Sequence, residues 1–127
     1  MSTRLFHFVL PSPWRAAEPS ADWAPPSLAG EGFLHLSFAE QLAGTLDVHF
    51  EGQDEVWLLE VDPNGLGEDL KLEPSRGGAD FPHLYRALRR DEVLGWWRLT
   101  RAADGHLAPP ELSGEARRPG APPTGPG

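Results

Sequence analysis

The stretch Asp54-Glu55-Val56-Trp57-Leu58-Leu59-Glu60-Val61-Asp62 constrains this chain more than any other. Its near-continuous apolar centre reads as a strand buried on both faces, not as one side of a half-exposed sheet. The remaining elements therefore have to cover it. Arg4 to Leu10 is β-rich and stops at Pro11. Ser12 ahead of Pro13 predicts an N-cap and a first helical residue, hence a short helix over 12–17. Residues 19–26 read as a loop, and Gly32 to Ser37 as a short strand. Ser37 and Glu40 have capping-box spacing, with Phe38, Leu42 and Leu46 as the apolar set of a helix running to Phe50.

Beyond the buried strand, Pro63-Asn64-Gly65 marks a turn, and Leu70 to Glu73 alternates until Pro74 ends it. A glycine-bearing loop leads into Phe81-Pro82-His83-Leu84-Tyr85. A helical turn over Asp91 to Leu94 and a strand over Trp96 to Arg101 follow. Trp96 and Trp97 are neighbours on that strand and face opposite sides, which suits packing better than binding. Strands outnumber helices, and the helices cluster early. That order predicts the α+β class rather than a doubly wound sheet.

The chain of 127 residues suffices for one domain. Glycine and proline, 14 of each, crowd the C-terminal stretch. The reading is a single domain over 1–107 and a disordered Pro/Gly-rich tail over 108–127, too poor in apolar surface to offset the entropy of ordering. Absence of cysteine excludes disulfides, thiolate catalysis, iron–sulfur clusters and thiolate zinc sites. No run approaches the ~20 apolar residues of a membrane span. The N-terminus reads straight into a strand, not a signal peptide, so a cytoplasmic protein is predicted, with no membrane partner and a monomer as the default. A formal net charge of −8 argues against nonspecific nucleic-acid binding. It leaves room for a small anionic ligand held by a few local arginines.

Three patches are candidates for chemistry. In Glu31-Gly32-Phe33-Leu34-His35-Leu36-Ser37, strand alternation turns His35 and Ser37 one way and Leu34 and Leu36 the other, which suits a cleft wall. The alternative is that Ser37 only caps the next helix and His35 is a hydrogen-bonded boundary residue. In Pro74-Ser75-Arg76-Gly77-Gly78-Ala79, glycine amides and a guanidinium could cradle an anion, or the segment is an ordinary loop. In Phe81 to Tyr85, His83 and the sole tyrosine, Tyr85, could bind a planar ring, or the aromatics plug the core. The histidines His7, His35, His49, His83 and His106 include no pair at metal-ligand helical spacing, so no metal site is predicted.

In order along the chain, Glu-Gly-Phe-Leu-His-Leu-Ser, Gln41, the apolar strand, Glu-Pro-Ser-Arg-Gly-Gly-Ala and Phe-Pro-His-Leu-Tyr resemble the family called domain of unknown function 952. The resemblance covers residues 4–100, and its most specific phrases are Gly32–Ser37 and Glu73–Tyr85. His7 and Trp14 also match it; Leu72 and Arg86 depart, standing where an aromatic and a glycine are usual. The resemblance implies a small split β-core with short helices, similar to the ADP-ribosyltransferases and tRNA 2′-phosphotransferases, whose active members clamp NAD. It then implies His35 on a ribose hydroxyl, Ser37 beside the nicotinamide and Tyr85 stacked on the ring. His83 would line the same cleft. Ser75, Arg76, Gly77 and Gly78 would take the pyrophosphate. The catalytic set would be His35, Ser37 and Tyr85, with NAD as a substrate and no permanently bound cofactor. Transfer chemistry also needs a carboxylate near a cationic sugar centre; Glu31 and Glu73 are the nearest in motif, and the residues alone assign neither. A noncatalytic module binding a nucleotide or small anion through the same residues is the alternative. A protein-interaction domain using the acidic surface and Pro-rich tail is a third reading.

Overall fold

The computed structural model describes residues 4–18, 21–75 and 78–125. Strand β1 (Leu5–Val9) is followed by helices α1 (Pro11–Ala16) and α2 (Pro26–Glu31), and strand β2 (Leu34–His35) by helix α3 (Leu42–His49). Then come β3 (Glu55–Val61), β4 (Leu70–Pro74), β5 (Asp80–Leu84), β6 (Val93–Thr100) and β7 (Arg118–Pro119). The class is α+β, built on two antiparallel sheets ordered β1-β3-β6-β7 and β2-β5-β4.

Strand β3 is the buried strand that its sequence predicts. It is covered from Val56 to Val61 and pairs with β1 on one edge and β6 on the other. Alternation divides its side chains between two cores. Trp57, Leu59 and Val61 join Leu5, Val9, Trp14, Trp23, Leu34 and Leu84 between the sheets. Val56 and Leu58 join Phe6, Phe8, Leu42 and Leu46 under α3. Trp96 enters the first core and Trp97 the second, as opposite faces of one strand require. The sheets meet at an isolated antiparallel bridge. There Phe6 N–H donates to Ser37 O at 2.9 Å and Ser37 N–H donates back to Phe6 O at 2.8 Å.

That bridge corrects the expected cap. Ser37 is held by β1, and a one-sided cap falls one residue later, with Phe38 N–H donating to Gln41 Oε1 at 3.0 Å. Helix α2 fills the stretch between the expected loop over 19–26 and the expected strand over 32–37; Pro26 opens it and Gly32, in the left-handed region at φ 89°, ends it. The turn expected over Asp91 to Leu94 is a 3-10 turn over Arg90–Glu92, and β6 already begins at Val93. Among the described residues no helix is long and apolar enough to cross a membrane.

The largest departure is the tail. Residues 108–125 do not leave the domain but run back across it. β7 pairs Arg118 with Trp96 and Pro119 with Gly95, and the fully buried Trp14 indole donates to Pro122 O at 3.0 Å. Arg117 joins Arg4 on the buried carboxylate of Glu60, at 3.1 and 2.9 Å. Gly95 makes this approach feasible, because a Cβ there would stand 2.6 Å from Arg117 Cζ. Apolar content misreads the segment because its contribution is polar: an acceptor for a buried indole and a cation for a buried acid.

A chain ending at Leu107 should therefore unfold at lower urea, with stability reduced by at least about 2 kcal/mol for one buried hydrogen bond and half of a buried ion cluster. Its tryptophan emission should shift red as Trp14 and Trp96 are wetted. Unchanged stability and emission would mean that the tail does not dock in solution.

Candidate functional site

The site is organised around His7. Strand β1 turns its ring toward the first core, where it is almost fully buried. The Trp23 indole, which can only donate, gives its proton to His7 Nε2 at 3.0 Å. Nδ1 must then carry the imidazole proton, and it donates to the backbone carbonyl of His35 at 2.8 Å. Both nitrogens are satisfied by a neutral ring. Burial drives its pKa from the usual 6.5 down to about 4, with the bond to His35 only partly opposing it. His7 is thus a strut between β1, β2 and the segment that carries Trp23.

Beside this strut lies a cavity of about 480 Å³. Phe8, Trp23, Pro25, Pro26 and Phe50 give it apolar walls, and Ser37, Thr45, His35 and Glu31 give it polar ones. The Ser37 and Thr45 hydroxyls stand 3.3 Å apart on a buried wall. At the mouth His35 Nε2–H donates to Glu31 Oε1 at 2.8 Å. The two side chains are 48% and 54% exposed. The hydrogen bond from His35 holds the Glu31 carboxyl below the usual carboxylate range, and the fields of His35, His83 and His49 add to it. No lysine or arginine lines this cavity among the described residues.

His35 also belongs to a second group, on the face of the β2-β5-β4 sheet away from its leucines. The register sets His35 opposite His83 and His83 opposite Lys71. Phe33 stacks on the His83 ring at 4.0 Å and lies 5.2 Å from the Tyr85 ring. Glu73 Oε1 accepts from His83 Nδ1–H at 2.9 Å and from the Tyr85 hydroxyl. Tyr85 first, then His83, holds the Glu73 carboxyl below its usual range, and the same bond raises the Tyr85 phenol. His83 Nε2 is buried with no partner among the described residues.

The candidate residues thus separate. His35 and Ser37 line the cavity; His83 and Tyr85 stand on the outer face, and His35 is common to both groups. Tyr85 points to Glu73 and does not line the cavity, so it does not stack on anything held there. Ser75 and Gly78 sit at the tip of the β4–β5 hairpin. Gly78, at φ 81°, donates its amide to Ser75 O at 2.9 Å, which closes the turn and leaves that N–H engaged. Arg76 and Gly77 lie outside the described residues. Residue types and spacing alone gave no sign of Thr45 or of the Trp23–His7 bond, because both depend on contacts between distant segments. Among the described residues no group of three or more His, Asp or Glu is placed to hold a metal ion.

The family model described as "Protein of unknown function (DUF952)" matches residues 9–96. The crystal structure of protein CC0527 from Caulobacter crescentus is similar at 42% identity and a TM-score of 0.73, covering 84% of this chain and 94% of its own. The solution NMR structure of that protein is similar at 40% identity and a TM-score of 0.70, covering 81% and 90%. No curated protein matches the chain.

The state of His7 has a pH consequence. Above pH 6.5 the ring is neutral whether folded or unfolded and contributes no pH dependence. Between 6.5 and about 4 the unfolded chain takes up a proton that the folded ring refuses. Stability should therefore fall as pH drops through that window, by up to roughly 3 kcal/mol. The direct check is an NMR titration of the imidazoles, in which His7 should stay about nine-tenths neutral or more at pH 5 and above. A His7 ring titrating near 6.5 would overturn the assignment.

Proposed function

The chain belongs to the DUF952 family of proteins of unknown function, and we propose that it binds a nucleotide-type ligand, with the cavity beside His7 taking the nicotinamide–ribose end of an NAD-like molecule. The observation that carries this reading is the hydrogen-bonded Glu31–His35 pair at the mouth of a mostly apolar cavity with no described cation in its walls. Its volume of about 480 Å³ falls within the usual range of small-molecule sites. Apolar walls with a carboxylate at the entrance favour a flat ring that is neutral or cationic, and disfavour phosphate inside. A nicotinamide ring on its ribose has that character. Ser37 and Thr45 offer hydroxyls to its amide, and His35 reaches a ribose hydroxyl from the mouth. The stacking role passes from Tyr85 to Trp23 and Phe50. The pyrophosphate then stays outside the cavity, in solvent and away from Glu31.

A second reading is transferase chemistry of the ADP-ribosyltransferase type, and Glu31 is the residue that favours it. It is the acid on the cavity wall, and its lowered pKa keeps it ionised beside a developing sugar cation. Against this stands its exposure: a carboxylate 54% open to solvent stabilises a cation weakly. The balance favours binding without turnover.

Titrations with nicotinamide, NAD and ADP-ribose in separate NMR runs test both readings. Nicotinamide and NAD should shift the amides of Ser37, Thr45 and His35, whereas ADP-ribose, lacking the ring, should not. His35→Ala should weaken NAD binding about tenfold for one lost hydrogen bond to the ligand. NAD should remain unconsumed. Consumption abolished by Glu31→Gln would replace the binding reading with the transferase one. Absence of any shift at millimolar ligand would end both.

A further inference from the structure

On the other end of α1 lies a second pocket, of about 300 Å³, lined by Arg15, Trp57, Trp96, Arg98, Arg118 and the tail residues 123–125. It shares no lining residue with the cavity beside His7. The distribution of arginines sets it apart. Arg4 and Arg117 face Glu60, Arg86 faces Glu92 and Asp69, Arg89 faces Asp91, and Arg101 faces Asp54. Arg90 donates to the backbone carbonyls of Ala21 and Glu18. Arg15 and Arg118 have no hydrogen-bonded or ion-paired acid among the described residues. Each instead lies over an indole: Arg15 over Trp57 at 4.9 Å, and Arg118 over Trp96 at 5.0 Å. Arg15 and Arg118, whose guanidiniums bond neither an acid nor a backbone carbonyl among the described residues, thus converge on one pocket.

Arg98 completes the set, bonded at 2.7 Å to Glu55, which also accepts from the Trp57 indole. Three guanidiniums against the carboxylate of Glu55 leave a local positive surplus in a chain of net charge −8. An indole face fixes a guanidinium without using its N–H donors, so the paired donors of Arg15 and Arg118 remain available. The rings of Trp57 and Trp96 are 1% and 5% exposed, so they support the arginines and do not stack on a ligand. Recognition there is of charge and oxygen, not of a ring.

We propose that this pocket is an anion site that takes the phosphate group of a small molecule. Paired guanidinium donors match the oxygens of a phosphate, and the docked tail closes one side of the pocket with Thr124 and Gly125. The site is independent of the nicotinamide reading.

The test uses the full chain at low ionic strength, titrated with inorganic phosphate and with pyrophosphate. Binding is read from the indole signals of Trp57 and Trp96 and the amides of Thr124 and Gly125. Saturable shifts are expected, with Arg15→Gln or Arg118→Gln weakening binding about tenfold for a lost charge-assisted pair. Arg89→Gln removes the same charge from an exposed pair elsewhere and should change affinity less than about twofold. Non-saturating shifts, or an equal loss in Arg89→Gln, would overturn the proposal by reducing the effect to diffuse attraction. His35→Ala should leave phosphate binding unchanged, so failure of the nicotinamide reading and failure of this one are separable.

Discussion

Two backbone hydrogen bonds between Phe6 and Ser37 join the sheets, and the ring of His7 reinforces that joint from the buried side. The bridge turns β1 and the segment after β2 into neighbours at one point only briefly, after which they diverge. The cavity occupies that divergence. Trp23 satisfies His7, His7 satisfies the carbonyl of His35, and His35 is thereby held with its ring at the mouth. The chain of donors runs in one direction, from an indole that can only give to a carbonyl that can only accept. Each member fixes the next, and a charged His7 would break it, since Trp23 would then face a second donor.

How much of this was legible follows from where each signal resides. Strand β3 was readable because burial on both faces writes itself into one uninterrupted segment. The opposed placement of Trp96 and Trp97 was readable from alternation alone. His35 and Ser37 were readable as a pair on one side of a short strand. The separation of Tyr85 from that pair was not, because it depends on Glu73, a partner in the adjacent strand whose register no local pattern sets. Glu92 lies in the turn that the sequence predicts over Asp91 to Leu94; its burial under a two-pronged contact from Arg86 follows from residues that pattern reading treats separately. The same contact gives Arg86 a task.

Charge is distributed with similar economy. The buried acids Glu60 and Glu92 each meet guanidinium groups in two-oxygen contacts, so the acidic chain keeps few positive charges to spare. The two pockets differ accordingly. One has a carboxylate and no described cation in its walls, and the other has three arginines. Helix α1 stands between them, with Pro13 on the first and Arg15 on the second.

The docking of residues 117–125 bears on how the chain becomes a domain at all. Trp14 and Pro122 are 108 positions apart, and Arg4 lies 56 positions from the carboxylate that it shares with Arg117. During synthesis, the first tryptophan must wait for an acceptor that emerges only after strands β1 to β6. Until then Glu60 has one cation in place of two, and the indole of Trp14 has no acceptor from the tail. Contacts of such long range close slowly and late. The nascent chain should therefore linger in a nearly finished state, its edge strand β6 unpaired along its outer side. The return of the tail pairs that edge at Gly95 and Trp96, shortening a site where one chain would otherwise find another.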